Sequence, residues 1–115
     1  AEAYSSAEVK HGPMALVGAG FPVLVFAQPD ETGPGALAVA DEFHGRGAEV
    51  WVASAATRDA GKDSSVALPL ASAAHPALAP LLTVQSFYRA INALALRRGH
   101  NPDLPPHLNK VTETV

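Results

Sequence analysis

The sequence predicts an α/β domain in which helices cover a parallel β-sheet. Two observations support this: three short apolar segments are bounded by turn residues, and helical periodicity follows the first and the third of them. The resulting order of strands and helices is typical of a three-layer α/β/α sandwich. Three strands are few for such a sheet, so we expect these 115 residues to form part of a larger domain.

The predicted strands are residues 22–27, 48–53 and 66–70. The first is apolar at nearly every position and does not alternate between apolar and polar residues. This pattern is typical of a strand in a parallel sheet whose two faces are both covered by helices. We therefore expect residues 22–27 to be buried on both sides.

A first helix is predicted over residues 34–45, between the first two strands. Acidic and hydroxyl side chains at positions 30–32 and Pro34 are suited to its start, and Gly45 and Gly47 are suited to its end. Its inward residues are expected to be Leu37, Ala40 and Phe43, and its solvated residues Asp41, Glu42 and Arg46.

A second, longer helix is predicted over residues 76–98 and ends at Gly99. Its apolar stripe, expected to pack in the core together with Phe87 and Leu94, consists of Leu81, Val84, Tyr88, Ile91 and Ala95. Residues 1–20 are expected to form a loop with one or two helical turns. We place a domain at 1–99 and an extended, proline-containing tail at 100–115.

Composition disfavours several classes of partner. The net charge of −3 lacks the basic footprint that nucleic acid or an anionic membrane requires. No apolar run approaches the roughly 20 residues needed to cross a bilayer, and no signal segment opens the chain. The sequence contains no cysteine, which fits a reducing compartment. We expect a soluble, cytoplasmic protein.

The histidines do not form a metal-binding pattern. His44, His75, His100 and His107 are scattered, with no pair at i, i+4 spacing and no accompanying carboxylate pattern. We expect neither a metal nor an organic cofactor.

One segment resembles a known family. Residues 8–16, Glu-Val-Lys-His-Gly-Pro-Met-Ala-Leu, are similar to the E-(L/V)-K-H-G-P-(L/M)-A-L segment of sugar isomerase (SIS) fold proteins. The first strand, the Arg-Gly-Ala sequence at 46–48 and the tail ending Pro-Pro-His-Leu-Asn-Lys at 105–110 keep the order and spacing of the second SIS half of hexosamine-phosphate synthases and deaminases. The resemblance implies a flavodoxin-like SIS fold and chemistry on a phosphorylated hexose or hexosamine.

The resemblance also implies roles for two residues. The histidine at the place of His11 helps to open the sugar ring, in the active site of a neighbouring subunit. The lysine at the place of Lys110 belongs to a tail that closes over the sugar, and it serves in ring opening or imine chemistry. Both roles suit the side chains, since an imidazole titrates near neutrality and an amine can attack a carbonyl.

Other assignments are less specific. The candidates for substrate binding are Lys10, Glu8 and Asn109. Because most lysines in proteins are exposed, a solvated Lys10 beside a turn is the favoured alternative for that residue. The alternative for His11 is a histidine bonded to local backbone at a turn, and for Lys110 it is a solvated tail lysine.

The family's glutamate base and phosphate loop have no counterpart in this chain, so we expect the 115 residues alone to be inactive. The tail departs from the synthase-like P-R-N-L-A-K-S-V-T, which favours the deaminase-like or isomerase-only branch. The competing hypothesis is a noncatalytic phosphosugar-sensing module of a regulator. The unpaired sheet edge and the Ala-rich composition predict a homodimer, with His11 near a subunit boundary.

Overall fold

A computed structural model describes residues 2–55 and 66–104. The chain divides into two compact units, residues 1–83 and 84–115. The first contains two short 3-10 helices, Glu8–His11 and Pro13–Leu16, and a three-stranded sheet. The predicted helical turns in residues 1–20 are therefore confirmed.

The sheet is parallel, with strands in the order β1 (Pro22–Ala27), β2 (Glu49–Ser54) and β3 (Val66–Pro69). Val23 pairs with Val50, and Trp51 pairs with Val66. Helix α1 (Gly33–Gly45) connects β1 to β2. All three predicted strands and the first predicted helix are confirmed, with ends that differ by at most one residue.

The core lies between α1 and the face of the sheet formed by alternate residues of β1 and β2. Its buried cluster is Ala27, Val39, Ala40, Phe43, Ala48, Val50 and Val52. Leu37, predicted to point inward, is half-buried against this cluster. Most of these side chains are alanine or valine, so the core of the described residues buries little apolar area per residue.

The start of α1 differs from the prediction. The Thr32 side chain does not cap the helix. The Asp30 carboxylate instead accepts hydrogen bonds from the backbone N–H of Thr32 (2.9 Å) and from its hydroxyl (2.6 Å). These bonds hold the pKa of Asp30 below its usual value. The Asp30 side chain thus stabilises the turn before the helix and does not cap the helix itself.

The expected burial of β1 on both faces is wrong. Leu24 is 37% exposed, and Val66 and Leu68 in β3 are 52% and 39% exposed. These side chains share one face of the sheet, because Leu24 is in register with Trp51 and Trp51 with Val66, and this face is opposite the one that packs against α1. The continuous apolar sequence of β1 therefore does not correspond to a fully covered strand in this chain.

The second helix, α2, spans Ala79–Arg97 and is preceded by a 3-10 turn at Pro76–Leu78. This confirms the predicted helix. Its apolar stripe is nevertheless exposed, including Tyr88 at 67% and Ile91 at 41%. The expected packing of Tyr88 in the core is wrong, and Phe87 is half-buried. The helical periodicity of the sequence predicts the apolar stripe, but it does not predict whether another surface covers that stripe.

No helix among the described residues is both long enough and apolar enough to cross a membrane.

Candidate functional site

The candidate site is built on residues 5–17, which we call the His11 segment. Its first turn begins with a reciprocal pair of hydrogen bonds: the Ser5 N–H donates to the Glu8 carboxylate (2.9 Å), and the Glu8 N–H donates to the Ser5 hydroxyl (3.2 Å). The spacing is that of a capping box, in which two backbone donors are satisfied at once. Here the bonds close the turn at residues 5–8 that leads into the first 3-10 helix, whose own N-cap residue, Ala7, makes no side-chain hydrogen bond.

These bonds determine the electrostatic state of Glu8. Hydrogen bonds from the backbone and side chain of Ser5 hold the pKa of Glu8 below its usual value. The carboxylate is ionised near neutral pH and occupied by local donors. Glu8 was predicted to bind substrate, and the structure places it in a supporting contact of the segment while leaving its side chain exposed.

His11 ends the first 3-10 helix and is exposed. Gly12 follows with a φ of 149°, a backbone conformation that favours glycine, and Pro13 begins the second 3-10 helix. The Gly-Pro pair therefore makes a sharp joint directly after the histidine. Among the residues that the structure describes, none forms a hydrogen bond or ion pair with the His11 imidazole.

The His11 segment is attached to the domain core by apolar and polar contacts. Val9, Met14 and Val17 are half-buried against the core cluster. The Met14 carbonyl accepts a hydrogen bond from the Arg46 guanidinium (2.8 Å), and the Gly20 N–H donates to the Gly47 carbonyl (2.8 Å). The segment is therefore a fixed part of the fold.

These contacts place the segment at the amino edge of the sheet. Arg46 follows the last residue of α1, and the chain enters β2 at Glu49. Since α1 runs antiparallel to the strands it connects, its C-terminal end lies where the strands begin. Met14 contacts this end of α1, and His11 is three residues away. A six-residue strand spans about 20 Å, so the carboxyl edge lies about that far from this anchor.

Lys10 is exposed beside His11. The two side chains place a cation and an imidazole on one exposed turn. This combination can attract an anionic ligand and exchange a proton with it. The other two predicted site residues, Lys110 and Asn109, lie outside the described residues.

Two contacts of the site were not predicted from the sequence. Arg46 was expected to be solvated, yet it reaches the Met14 carbonyl 32 positions earlier. The Ser5/Glu8 capping box was missed, although its S-x-x-E spacing is a sequence signature. No group of three or more His, Cys, Asp or Glu side chains suited to a metal occurs in the described part of the chain.

Comparison with known proteins finds relatives that match nearly the whole chain. The chain is 40% identical, over its whole length, to a glutamine–fructose-6-phosphate aminotransferase of Pyrobaculum aerophilum, and 37% identical over 96% of its length to that of Chlorobaculum tepidum. A solved candidate phosphosugar isomerase of Silicibacter pomeroyi DSS-3 superposes on 87% of this chain, at 37% identity and a TM-score of 0.70. The chain is thus similar, over nearly its whole length, to part of these aminotransferases and to a solved phosphosugar isomerase of the SIS type.

A second solved structure is similar to the chain. The C-terminal domain of glucosamine-fructose-6-phosphate aminotransferase from Francisella tularensis matches 71% of this chain at 32% identity, with a TM-score of 0.57. Models of known protein families give no match to the chain.

The chain matches only a small part of each of these relatives. The chain spans 19% and 18% of the two curated aminotransferases, and 29% and 23% of the two solved chains. The parallel sheet is thus confirmed as part of an SIS-type α/β domain.

Proposed function

We propose that this chain is the part of a phosphosugar-converting enzyme that supplies His11 as a proton-transfer residue. The observation that carries the proposal is the exposed imidazole of His11, to which no described residue is bonded, on a segment that packs against the core through Val9, Met14 and Val17. The substrate class is a phosphorylated hexose or hexosamine, and the reaction interconverts fructose 6-phosphate and glucosamine 6-phosphate, with ammonia taken up and water released in one direction and the reverse in the other.

The chemistry assigned to His11 is ring opening. A cyclic sugar opens when the anomeric hydroxyl loses a proton, the bond between the anomeric carbon and the ring oxygen breaks, and the ring oxygen gains a proton. An imidazole can accept the first proton and return it to the ring oxygen, because both of its protonation states are accessible near neutrality. Lys10 is the proposed cation that balances the negative charge of the sugar phosphate.

Lys110 is the proposed partner of His11. Its amine would meet the carbonyl that ring opening exposes, forming an imine with loss of water. Asn109 is the proposed hydrogen-bonding neighbour beside it. These two assignments rest on the resemblance of residues 105–110 to the family's tail.

The curated relatives favour the amino-transferring branch of the family. The two named above are aminotransferases, whereas the departures in the tail of this chain favour a deaminase-like or isomerase-only enzyme. The two branches share the open-chain intermediate, so His11 has the same role in both. They differ in whether glutamine supplies the nitrogen.

The position of the His11 segment supports action on the site of a second subunit. In open α/β sheets, ligands bind beyond the carboxyl ends of the strands. The anchor of the segment lies at the opposite edge, about 20 Å away by strand length. We therefore propose a homodimer in which His11 of one subunit completes the site of its partner, in a longer protein that supplies the remaining sheet.

The reaction is tested with the complete protein that contains this chain. Incubation with glucosamine 6-phosphate should yield fructose 6-phosphate, and unphosphorylated glucosamine should give little product because it lacks the anionic anchor. The Lys110→Ala variant should lose most of the turnover. Tight binding of glucosamine 6-phosphate without any product would contradict the enzymatic proposal and favour a phosphosugar sensor.

A second experiment uses the 115 residues alone. Because binding and proton-transfer groups from other parts of the protein are needed for turnover, the isolated chain should show no conversion of glucosamine 6-phosphate. Measurable product from the purified chain would contradict the proposed dependence on a longer protein.

A further inference from the structure

The Arg46 guanidinium joins the end of α1 to the His11 segment. Its Nη1 donates to the Met14 carbonyl at 2.8 Å, and its Nη2 donates to the Glu42 carboxylate at 2.7 Å. The two terminal nitrogens of one guanidinium thus bond one acceptor in α1 and one in the segment. Arg46 therefore connects two elements that are far apart in sequence.

The orientation of the guanidinium is fixed from the helix side. Its Cζ atom lies 5.9 Å from the centroid of the Phe43 ring, and Phe43 is only 2% exposed. A buried ring and a carboxylate on the same helix together direct Nη1 toward Met14. A lysine at this position has one ammonium group and no planar fork, so it cannot reproduce both bonds with the same geometry.

The bond to Met14 bears directly on His11. Met14 lies three residues after His11, and its carbonyl also accepts the Val17 N–H at 3.2 Å. The joint between the two 3-10 helices is Gly12, whose φ of 149° is accessible because glycine lacks a Cβ. With the second 3-10 helix bonded to Arg46, the backbone that follows Gly12 is held against the end of α1.

We propose that Arg46 is a positioning residue for His11: it holds the Met14 carbonyl and thereby fixes the turn that presents the imidazole. This inference rests on the proposed function, because the orientation of His11 matters for turnover only if His11 takes part in it. Arg46 itself contacts no reacting atom in this account.

The test is Arg46→Lys in the complete protein, with Arg97→Lys as the matched control. Arg97 is the last residue of α2 and is exposed, so its substitution makes the same chemical change at another helix end. Loss of orientation should lower kcat by about 10- to 100-fold with little change in KM, since a small misplacement of a catalytic group affects the chemical step. Arg97→Lys should leave both constants unchanged.

Hydrogen exchange provides a readout that does not depend on turnover. The amides of Ala15 and Val17 donate within the second 3-10 helix. Their exchange should become several-fold faster in Arg46→Lys, and it should be unchanged in Arg97→Lys. Unchanged exchange in Arg46→Lys would overturn the proposal, whatever the kinetic result.

A double variant separates positioning from general destabilisation. If Arg46 acts through His11, adding Arg46→Lys to His11→Asn should cause no further loss of kcat. An equal loss with and without His11 would show a merely structural role and overturn the proposal. Full activity of His11→Asn alone would instead contradict the proposed function, while the exchange measurement would still decide whether Arg46 orders the segment.

Discussion

Phe43 is the largest side chain of the buried core cluster and also lies against the Arg46 guanidinium. Truncation of Phe43 to Ala should destabilise the fold by about 3 kcal/mol or more, because a buried aromatic ring is lost and a cavity remains. Urea unfolding measures this change in the free energy of unfolding. Leu16→Ala is the control, since Leu16 is 76% exposed, and it should change stability by less than about 0.5 kcal/mol. Equal effects of the two substitutions would contradict the described core.

The Ser5/Glu8 capping box predicts a dependence on pH. Since the folded-state pKa of Glu8 is lowered, its stabilising contribution is present above the ordinary pKa of about 4.3 and is lost as the pH falls through the lowered value. Ser5→Ala removes the side-chain hydrogen bond but keeps the backbone one. It should therefore raise the pKa of Glu8 only part of the way toward normal.

The pKa of Glu8 can be followed by NMR titration of its carboxyl carbon. Ser6→Ala is the matched control, since Ser6 lies beside Ser5 and makes no part of the capping box. A pKa for Glu8 that is the same in both variants and in the original protein would contradict the described contact.

Some of these residue roles could be read from the sequence and others could not. The exposed position of His11 after a helical turn follows from the Gly-Pro pair that ends the turn. The bond between Arg46 and Met14 could not be predicted, because it joins residues 32 positions apart whose proximity depends on how the first 20 residues pack. Glu8 was assigned to substrate although a local signature predicts its contact with Ser5.

Helix α1 contains two glycines that are expected to respond oppositely to alanine. A Cβ on Gly33 would lie 2.3 Å from the Gln28 carbonyl oxygen, so the start of the helix must shift. A Cβ on Gly35 would meet no atom within 4 Å. Gly33→Ala should destabilise the protein by about 1–3 kcal/mol, whereas Gly35→Ala should stabilise it by up to about 1 kcal/mol.

The pair serves as its own control, since both residues lie in the first turn of the same helix. Thermal unfolding of the two variants measures the difference. Stabilisation by Gly33→Ala would contradict the close approach of α1 to the end of β1.

At the scale of elements, the sequence predicts where strands and helices lie better than how they are covered. Apolar segments bounded by turn residues located β1, β2 and β3 within one residue. The exposure of Leu24 and Tyr88 was not predicted, because an apolar stripe looks the same in sequence whether its covering surface lies in this chain or in another.

At the scale of the whole molecule, the thin core and the two edge strands predict association. Five of the nine buried apolar residues among those described are alanines, which bury little area each. Apolar side chains on β1 and β3 remain exposed at the same time. Burial of this surface against another chain would offset the small core.

Sedimentation equilibrium should therefore show a stable dimer or larger assembly. If apolar burial dominates, the association constant should persist when the ionic strength is raised, since screening weakens only charge interactions. A well-behaved monomer at micromolar concentration would contradict both the predicted association and the action of His11 on a partner's site.

The central claim is that His11 takes part in phosphosugar conversion. The most direct measurement is the turnover of glucosamine 6-phosphate by the complete protein carrying His11→Asn, compared with the same substitution at His100, an exposed histidine just after α2. The account predicts a fall in kcat of about 100-fold or more for His11→Asn, as expected for loss of a proton-transfer group, and no change for His100→Asn. Turnover of His11→Asn within a few-fold of the original protein would contradict it.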